Sequence, residues 1–188
     1  METKRFFIDG PVLLQPEVFI DDRGCFFESF SVERYQKLGI PADRFVQDNV
    51  SKSKRGVVRG LHYQARPFEQ GKLVQVLCGR VLDVAVDIRV GSPTYGRHVM
   101  VELSGVNHKQ FWIPAGFAHA FMSLVDNTIF TYKVTGLYHK ESDRGILWND
   151  PALDIAWPKD VTPIVSSKDA ASPPLSEIVD AFVYNEEH

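Results

Sequence analysis

His62 stands in the stretch GVVRGLHYQARPFEQGKLVQV (residues 56–76) between two cations, Arg59 and Lys72, with no second metal-ligating side chain beside it. An imidazole titrates near neutral pH, and nearby cations favour its neutral form, the form that accepts a proton. The arrangement is that of a general base. A lone strand histidine is more often a packed residue with a satisfied hydrogen bond, so the chemical reading needs company. His119 closes the segment PAGFAH, and Tyr132 follows Phe130 in a strand-like aromatic run. A phenol with an ordinary pKa of ~10 is protonated at neutral pH and can give a proton back. On pattern alone, Tyr132 simply packs beside Phe130 and Lys72 is a solvated lysine at a strand start.

The elements that must hold these groups are mostly short strands. Leu82, Val84, Val86 and Ile88 alternate with Asp83, Ala85 and Asp87, the pattern of a half-buried strand. Cys78-Gly79-Arg80 before it reads as a turn. Further strands are predicted at Phe26–Phe30, Phe45–Val50, Val57–Tyr63, Leu73–Leu77, His98–Leu103, Gln110–Ile113 and Thr128–Val134. Helical signals are few. Ser31 can cap a short helix running to Leu38 and ended by Gly39, and Ser172 before Pro173-Pro174 can open a helix over Leu175, Ile178, Val179 and Phe182. Short strands without repeated βαβ units imply a mainly β, antiparallel jelly-roll sandwich or barrel.

The 188 residues suit one domain, and a hydrophobic share of 44% with 24% charged residues is ordinary for a globular chain. A net charge of −3, without a like-charge block, argues against bulk electrostatic binding to nucleic acid or membrane. Neither an N-terminal apolar leader nor an apolar run of about 18 residues is present, so a cytoplasmic location is expected. Cys25 and Cys78 have no metal-ligand spacing and read as small buried hydrophobes. The acidic Glu186-Glu187-His188 end is expected to fray.

The segment Pro114-Ala115-Gly116-Phe117-Ala118-His119 resembles the PxGxxH element of the cupin superfamily, and Gly56 with His62 resembles the start of that superfamily's first motif. Metal-binding cupins continue His-x-His, whereas Gln64 holds the second position here. A facial triad of His62, Glu69 and His119 is the remaining metal reading, and no metal is expected. RGLHYQ, QGKLVQV, FWIPAGFAHAF, WNDP and SSKD, with DRGCFFESF and FVQDN, resemble the dTDP-4-dehydrorhamnose 3,5-epimerase family from about Phe6 to Asp169, in order.

That resemblance implies a single cupin-like domain, with a C-terminal tail from about residue 173 outside the core motifs, that needs no cofactor. It implies inversion of C3 and C5 of dTDP-4-dehydro-6-deoxy-D-glucose, since both carbons flank a ketone and lose their protons to give an enolate. His62 matches the family's base, Asp169 the carboxylate that orients it, Tyr132 the opposing acid and Lys72 the cation at the C4 oxygen. Without the resemblance Asp169 reads as a turn residue, and Asp83 is the rival partner for His62. Arg59 and Arg23 match diphosphate contacts, Gln47 and Asn49, with Asp48 between them, the nucleoside side, Glu28 and His119 sugar or nucleotide contacts, and Tyr138 the ring that stacks on thymine. Phe26 matches an opposing ring, and Lys168 lies in the matched SSKD segment.

The resemblance also implies a homodimer in which Arg23, Phe26 and Glu28 reach the neighbouring site. One departure stands out: the family's Tyr-x-Pro-x-x-Glu is here Tyr138-His139-Lys140-Glu141-Ser142-Asp143, so either Asp143 or Glu141 takes the glutamate's place. Two other functions fit the same residues: a mono-epimerase acting at C3 or C5 alone, and a sugar-nucleotide-binding cupin without activity.

Overall fold

A computed structural model describes residues 1–179 and 182–184. The strands in the first third of the chain are β1 (Glu2–Arg5), β2 (Val12–Gln15), β3 (Phe19–Asp21), β4 (Gly24–Phe26), β5 (Gln47–Ser53) and β6 (Val57–Gln64). Then come β7 (Lys72–Cys78), β8 (Arg80–Asp87), β9 (Arg89–Val90), β10 (His98–Ser104), β11 (Gln110–Ile113), β12 (Phe117–Ser123) and β13 (Thr128–Val134). The chain closes with β14 (Asp143–Gly145), β15 (Ile164–Val165) and β16 (Phe182–Val183). Two short α-helices, α1 (Val32–Lys37) and α2 (Ser167–Ala170), and four 3-10 turns complete the regular structure among the described residues.

Two six-stranded sheets face each other. One runs β1-β2-β11-β7-β13-β5, and the other runs β10-β8-β12-β6-β14 with β15 alongside β6. All pairings within them are antiparallel except β15 with β6. Val74, Val76, Phe111, Ile113 and Phe130 of the first sheet meet Val81, Ala85, Val99, Leu103 and Phe121 of the second in one cluster. Burying a side chain such as Phe111 or Phe130 is worth about 2–3 kcal/mol. The Phe121 and Phe130 rings stack at 4.2 Å. This is the jelly-roll sandwich that the strand pattern implies.

Strand β8 differs from its half-buried expectation, because both of its faces are covered. Val84, Val86 and Ile88 enter a second cluster with Leu61, Tyr63 and Leu175, while Asp83 and Asp87 on the other face are 0% exposed. A carboxylate can sit there only with partners. Asp87 accepts from the Arg89 backbone N–H and guanidinium and from the Ser92 and Thr94 hydroxyls. Strand β12 gave no alternation to read because every one of its residues is buried.

Ser31 caps α1 as expected, its hydroxyl accepting from the Arg34 N–H, and Gly39 follows with φ +82°. The helix packs Tyr35 over Leu73 and Trp112 on the outer face of the first sheet. The strand expected over Phe26–Phe30 is instead a hairpin, Phe19–Asp21 with Gly24–Phe26, that ends at Phe26. The expected C-terminal helix is absent among the described residues. Leu175–Glu177 forms one 3-10 turn, and Phe182–Val183 pairs in parallel with Arg89–Val90. Leu175 and Phe182 still bury their side chains, as the apolar spacing requires, but the 3-10 turn delivers the first and extended backbone on β9 the second. The frayed end expected at Glu186-Glu187-His188 lies outside the described residues. Both cysteines are exposed rather than buried, Cys25 on the hairpin and Cys78 at the end of β7.

Strand β6 contains an irregularity that shapes the site. His62 pairs with His119 and Arg59 with Phe121, so Gly60 and Leu61 together stand opposite Ala120. Such a bulge inserts one residue into the alternation. Gly60 has φ +111°, and a Cβ there would lie 2.3 Å from the His119 carbonyl oxygen. Only glycine fits on both counts. Strict alternation would send Arg59 and His62 to opposite faces; the bulge lets both line one cavity.

Candidate active site

The open end of the barrel holds a cavity of about 470 Å³ lined by Arg59, His62, Lys72, His119, Tyr132, Lys168 and Asp169, with Phe121 and Phe130 as apolar walls. Its contributors come from β6, β7, β12, β13 and α2, five elements spread along the chain. Parallel pairing of β15 with the start of β6 carries α2 to His62. That closes a gap of 107 residues, and His62 Nε2 lies 2.7 Å from Asp169 Oδ1.

Asp169 is 4% exposed. Burial pushes its carboxyl up, but hydrogen bonding and charge from His62, the Gly60 N–H and Ser166 outweigh that and hold it below the usual carboxylate value. A neutral imidazole donating from Nε2 to this carboxylate leaves its lone pair on Nδ1. Asp83, the rival partner, is engaged elsewhere: both its oxygens lie 3.0 Å from His119 Nε2. Burial pushes the Asp83 carboxyl up and the His119 ring down, so the site favours neutrality in both.

Lys72 places its ammonium 3.3 Å from the His62 carbonyl oxygen. Burial drives its pKa down to about 8, with Asp143 and Asp83 pulling it back up. Tyr132 moves the other way: burial raises the phenol and Arg59 opposes the shift. The cavity therefore combines a carboxylate-oriented imidazole, a phenol that stays protonated and an ammonium easily discharged.

At the rim, Asp143 bonds Lys168 Nζ and accepts from the Tyr138 hydroxyl at 3.1 Å. Glu141 instead approaches His139 at 3.6 Å, so of the two carboxylates Asp143 is the one tied into the rim. Gln47 donates to Asn49 at 2.8 Å, and both share a face of β5 with Ser51, which lines the cavity. Asp48 is not brought to this cavity: the strand's alternation turns it to the opposite face, where it pairs with Lys133 at 2.9 Å. Glu69 is corrected as a ligand candidate too, since it lines a separate cavity with Arg5, Arg44 and Trp112. Among the described residues no group of three His, Cys, Asp or Glu side chains could hold a metal ion.

Arg23, Phe26 and Glu28 are not brought to this chain's own cavity. Arg23 pairs with Asp21 at the hairpin tip, Phe26 is 71% exposed, and Glu28 lies 3.2 Å from Arg34. Sequence reasoning missed the Gly60 N–H as a second donor to Asp169 and the Ser166 cap that orients α2. The cap had a signal, since Ser166 stands three residues before Asp169. The Gly60 contact depends on the bulge and had none.

A model of the dTDP-4-dehydrorhamnose 3,5-epimerase family matches residues 5–177. The chain belongs to that family. The enzyme of that name from Pseudomonas aeruginosa is 51% identical over 90% of this chain and 93% of its own length. The one from Escherichia coli is 47% identical over 95% and 97%. Among solved structures, the Legionella pneumophila dTDP-6-deoxy-D-glucose-3,5-epimerase in complex with dTDP-4-keto-L-rhamnose superposes with a TM-score of 0.94 at 49% identity, covering 98% of this chain and 99% of that one. A 3'-monoepimerase from Streptomyces bikiniensis in complex with dTDP-quinovose gives 0.87 at 34% identity, covering 91% and 86%. Family membership makes the chain an isomerase of the epimerase type with the cupin fold. No helix among its described residues is long and apolar enough to cross a membrane.

Proposed function

We propose that this epimerase inverts C3 and C5 of dTDP-4-dehydro-6-deoxy-D-glucose, giving dTDP-4-dehydro-L-rhamnose. The observation that carries the reading is the His62–Asp169 bond of 2.7 Å inside a cavity that also holds Tyr132 and Lys72. His62 Nδ1 takes the proton from the carbon beside the C4 ketone, and the C–H electrons pass to the C4 oxygen. Asp169 stabilises the imidazolium, as a carboxylate does in a hydrolase triad. Lys72 offsets the charge on the enolate oxygen. Tyr132 then gives its proton to the same carbon from the other face, which inverts it, and exchange with water resets both groups. The sequence repeats at the second carbon.

Arg59 and Lys168 supply cations for the diphosphate. Gln47 and Asn49 serve the nucleoside, His119 the sugar, and Tyr138 stacks on the nucleobase. Asp143 replaces the family's glutamate at the rim. The chain acts as one domain, in the cytoplasm and without a cofactor, as a homodimer whose hairpin and the residues just after it carry Arg23, Phe26 and Glu28 to the neighbouring site. The exposed Phe19, Ile20 and Phe26, at 56%, 81% and 71%, support that placement because they cover nothing in their own chain.

Turnover of the dTDP-4-keto sugar in deuterium oxide tests the reaction. Label at both C3 and C5, with inversion, is expected; label at one carbon alone replaces the proposal with a mono-epimerase, and label at neither leaves a binding protein.

A further inference from the structure

Gln64 lies on the same strand as His62 and is 5% exposed, yet its amide does not point a free group at the cavity. Nε2 donates to the Phe68 carbonyl at 3.1 Å and to the Leu137 carbonyl at 3.2 Å, while Oε1 accepts from the His139 N–H at 2.8 Å. Two of these three bonds therefore grip the backbone immediately before and after Tyr138. The third holds the facing loop. Other contacts stitch the same two loops together: Gln70 Nε2 to the Gly136 carbonyl at 2.6 Å, and the Phe68 and His139 rings stacked at 3.6 Å with planes 3° apart. The far end of Tyr138 is fixed by its hydroxyl on Asp143.

We infer that Gln64 is a positioning residue for nucleotide binding: its amide sets the backbone on both sides of Tyr138 and so the place of that ring at the mouth of the cavity. An amide is the one uncharged side chain of this length with two donors and an acceptor on one head. Glutamate there would oppose two carbonyls with acceptors only, and an aliphatic side chain would leave all three backbone groups without their partner at a buried position. Tyr138 itself is 57% exposed, so its position depends on these bonds more than on packing. The inference rests on the reading of Tyr138 as the nucleobase platform.

The test is Gln64→Met, which keeps the length and removes the hydrogen bonds, with dTDP itself as the probe. Calorimetric Kd for dTDP and KM for the sugar nucleotide should both rise about tenfold, with kcat within twofold of wild type. Gln64→Met added to Tyr138→Ala should weaken dTDP binding no further than Tyr138→Ala alone. Unchanged dTDP affinity, a fall in kcat at constant KM, or additive losses would each overturn the inference. Should Gln64→Met fail to fold, Phe68→Ala, at a side chain 40% exposed, loosens the same loop pair and should show the same rise in Kd and KM; wild-type values there would overturn it equally. Wild-type dTDP affinity in Tyr138→Ala would remove the nucleobase role and this inference with it, while the deuterium result continues to judge the epimerase reading separately.

Discussion

Two histidine–aspartate pairs flank the cavity, their histidines on neighbouring strands, and their carboxyls are shifted in opposite directions. His62 and His119 are direct partners across β6 and β12. The side chain of His62 is 32% exposed and its carboxylate is held low by several donors. The side chain of His119 is 9% exposed, and burial pushes Asp83 up and His119 down. A base must carry a positive charge once it has taken a proton. The first pair can bear that charge because Asp169 is held low and the ring is partly exposed; in the second, burial opposes it. Both rings line the cavity, so solvation and donor count distinguish them.

Changes to the first pair should have the largest effects. His62→Ala should reduce deuterium incorporation at both carbons to background, a loss of ~10⁴-fold, the upper end of what a positioned base contributes. Asp169→Asn should cost on the order of 10²–10⁴ in kcat by permitting the wrong tautomer. Asp83→Asn, measured in parallel, should cost less than about tenfold, because an amide still meets a neutral imidazole. Equal losses in the two asparagine variants would break the distinction between the pairs.

The acid sharpens it next. Tyr132→Phe should retain deuterium exchange through His62 while net inversion falls by ~10²-fold, read by comparing label with product stereochemistry. A parallel fall in both would place the phenol in the first proton transfer instead.

The pH profile gives a smaller effect. Lys72, lowered to about 8, is protonated below that value and loses its charge as the pH rises through it, while Tyr132 is raised and stays protonated. kcat should therefore fall on an alkaline limb near pH 8, and Lys72→Met should flatten that limb at a lower plateau. Asp169 has the opposite sign. Its lowered value contributes stability above the ordinary carboxylate pKa, and that contribution is lost as the pH falls through the lowered value. Urea midpoints below pH 4 should converge for wild type and Asp169→Asn.

Much of the fold could be read in advance because the strands Gln110–Ile113 and Thr128–Val134 carry their boundaries in local pattern. Strand β12 could not, since a segment buried on both faces has no period to display. The tail failed for a related reason: Leu175, Ile178 and Phe182 have helical spacing, but β9 offered backbone partners that outweighed propensity. At the site, the types of residue were legible and the pairing was not. Nothing local tells His62 to take Asp169 rather than Asp83; the β15–β6 pairing decides it. In the sequence Gln64 stands out only as the ligand it is not, because three backbone bonds from one amide leave no trace in spacing.

The single extra residue at Gly60 and Leu61 has a consequence for how this strand tolerates change. Upstream of it Arg59 faces the cavity, and downstream of it so does His62, although three positions separate them. The interval is thus a phase setting. Closing the bulge at unchanged length would, holding Arg59 in place, rotate the rest of β6 by half a period, sending the imidazole and the Gln64 amide into the apolar layer and Tyr63 out of it, as would adding one residue with the bulge kept. Side chains here can be exchanged one at a time, at a graded cost; the length of the interval admits no graded change.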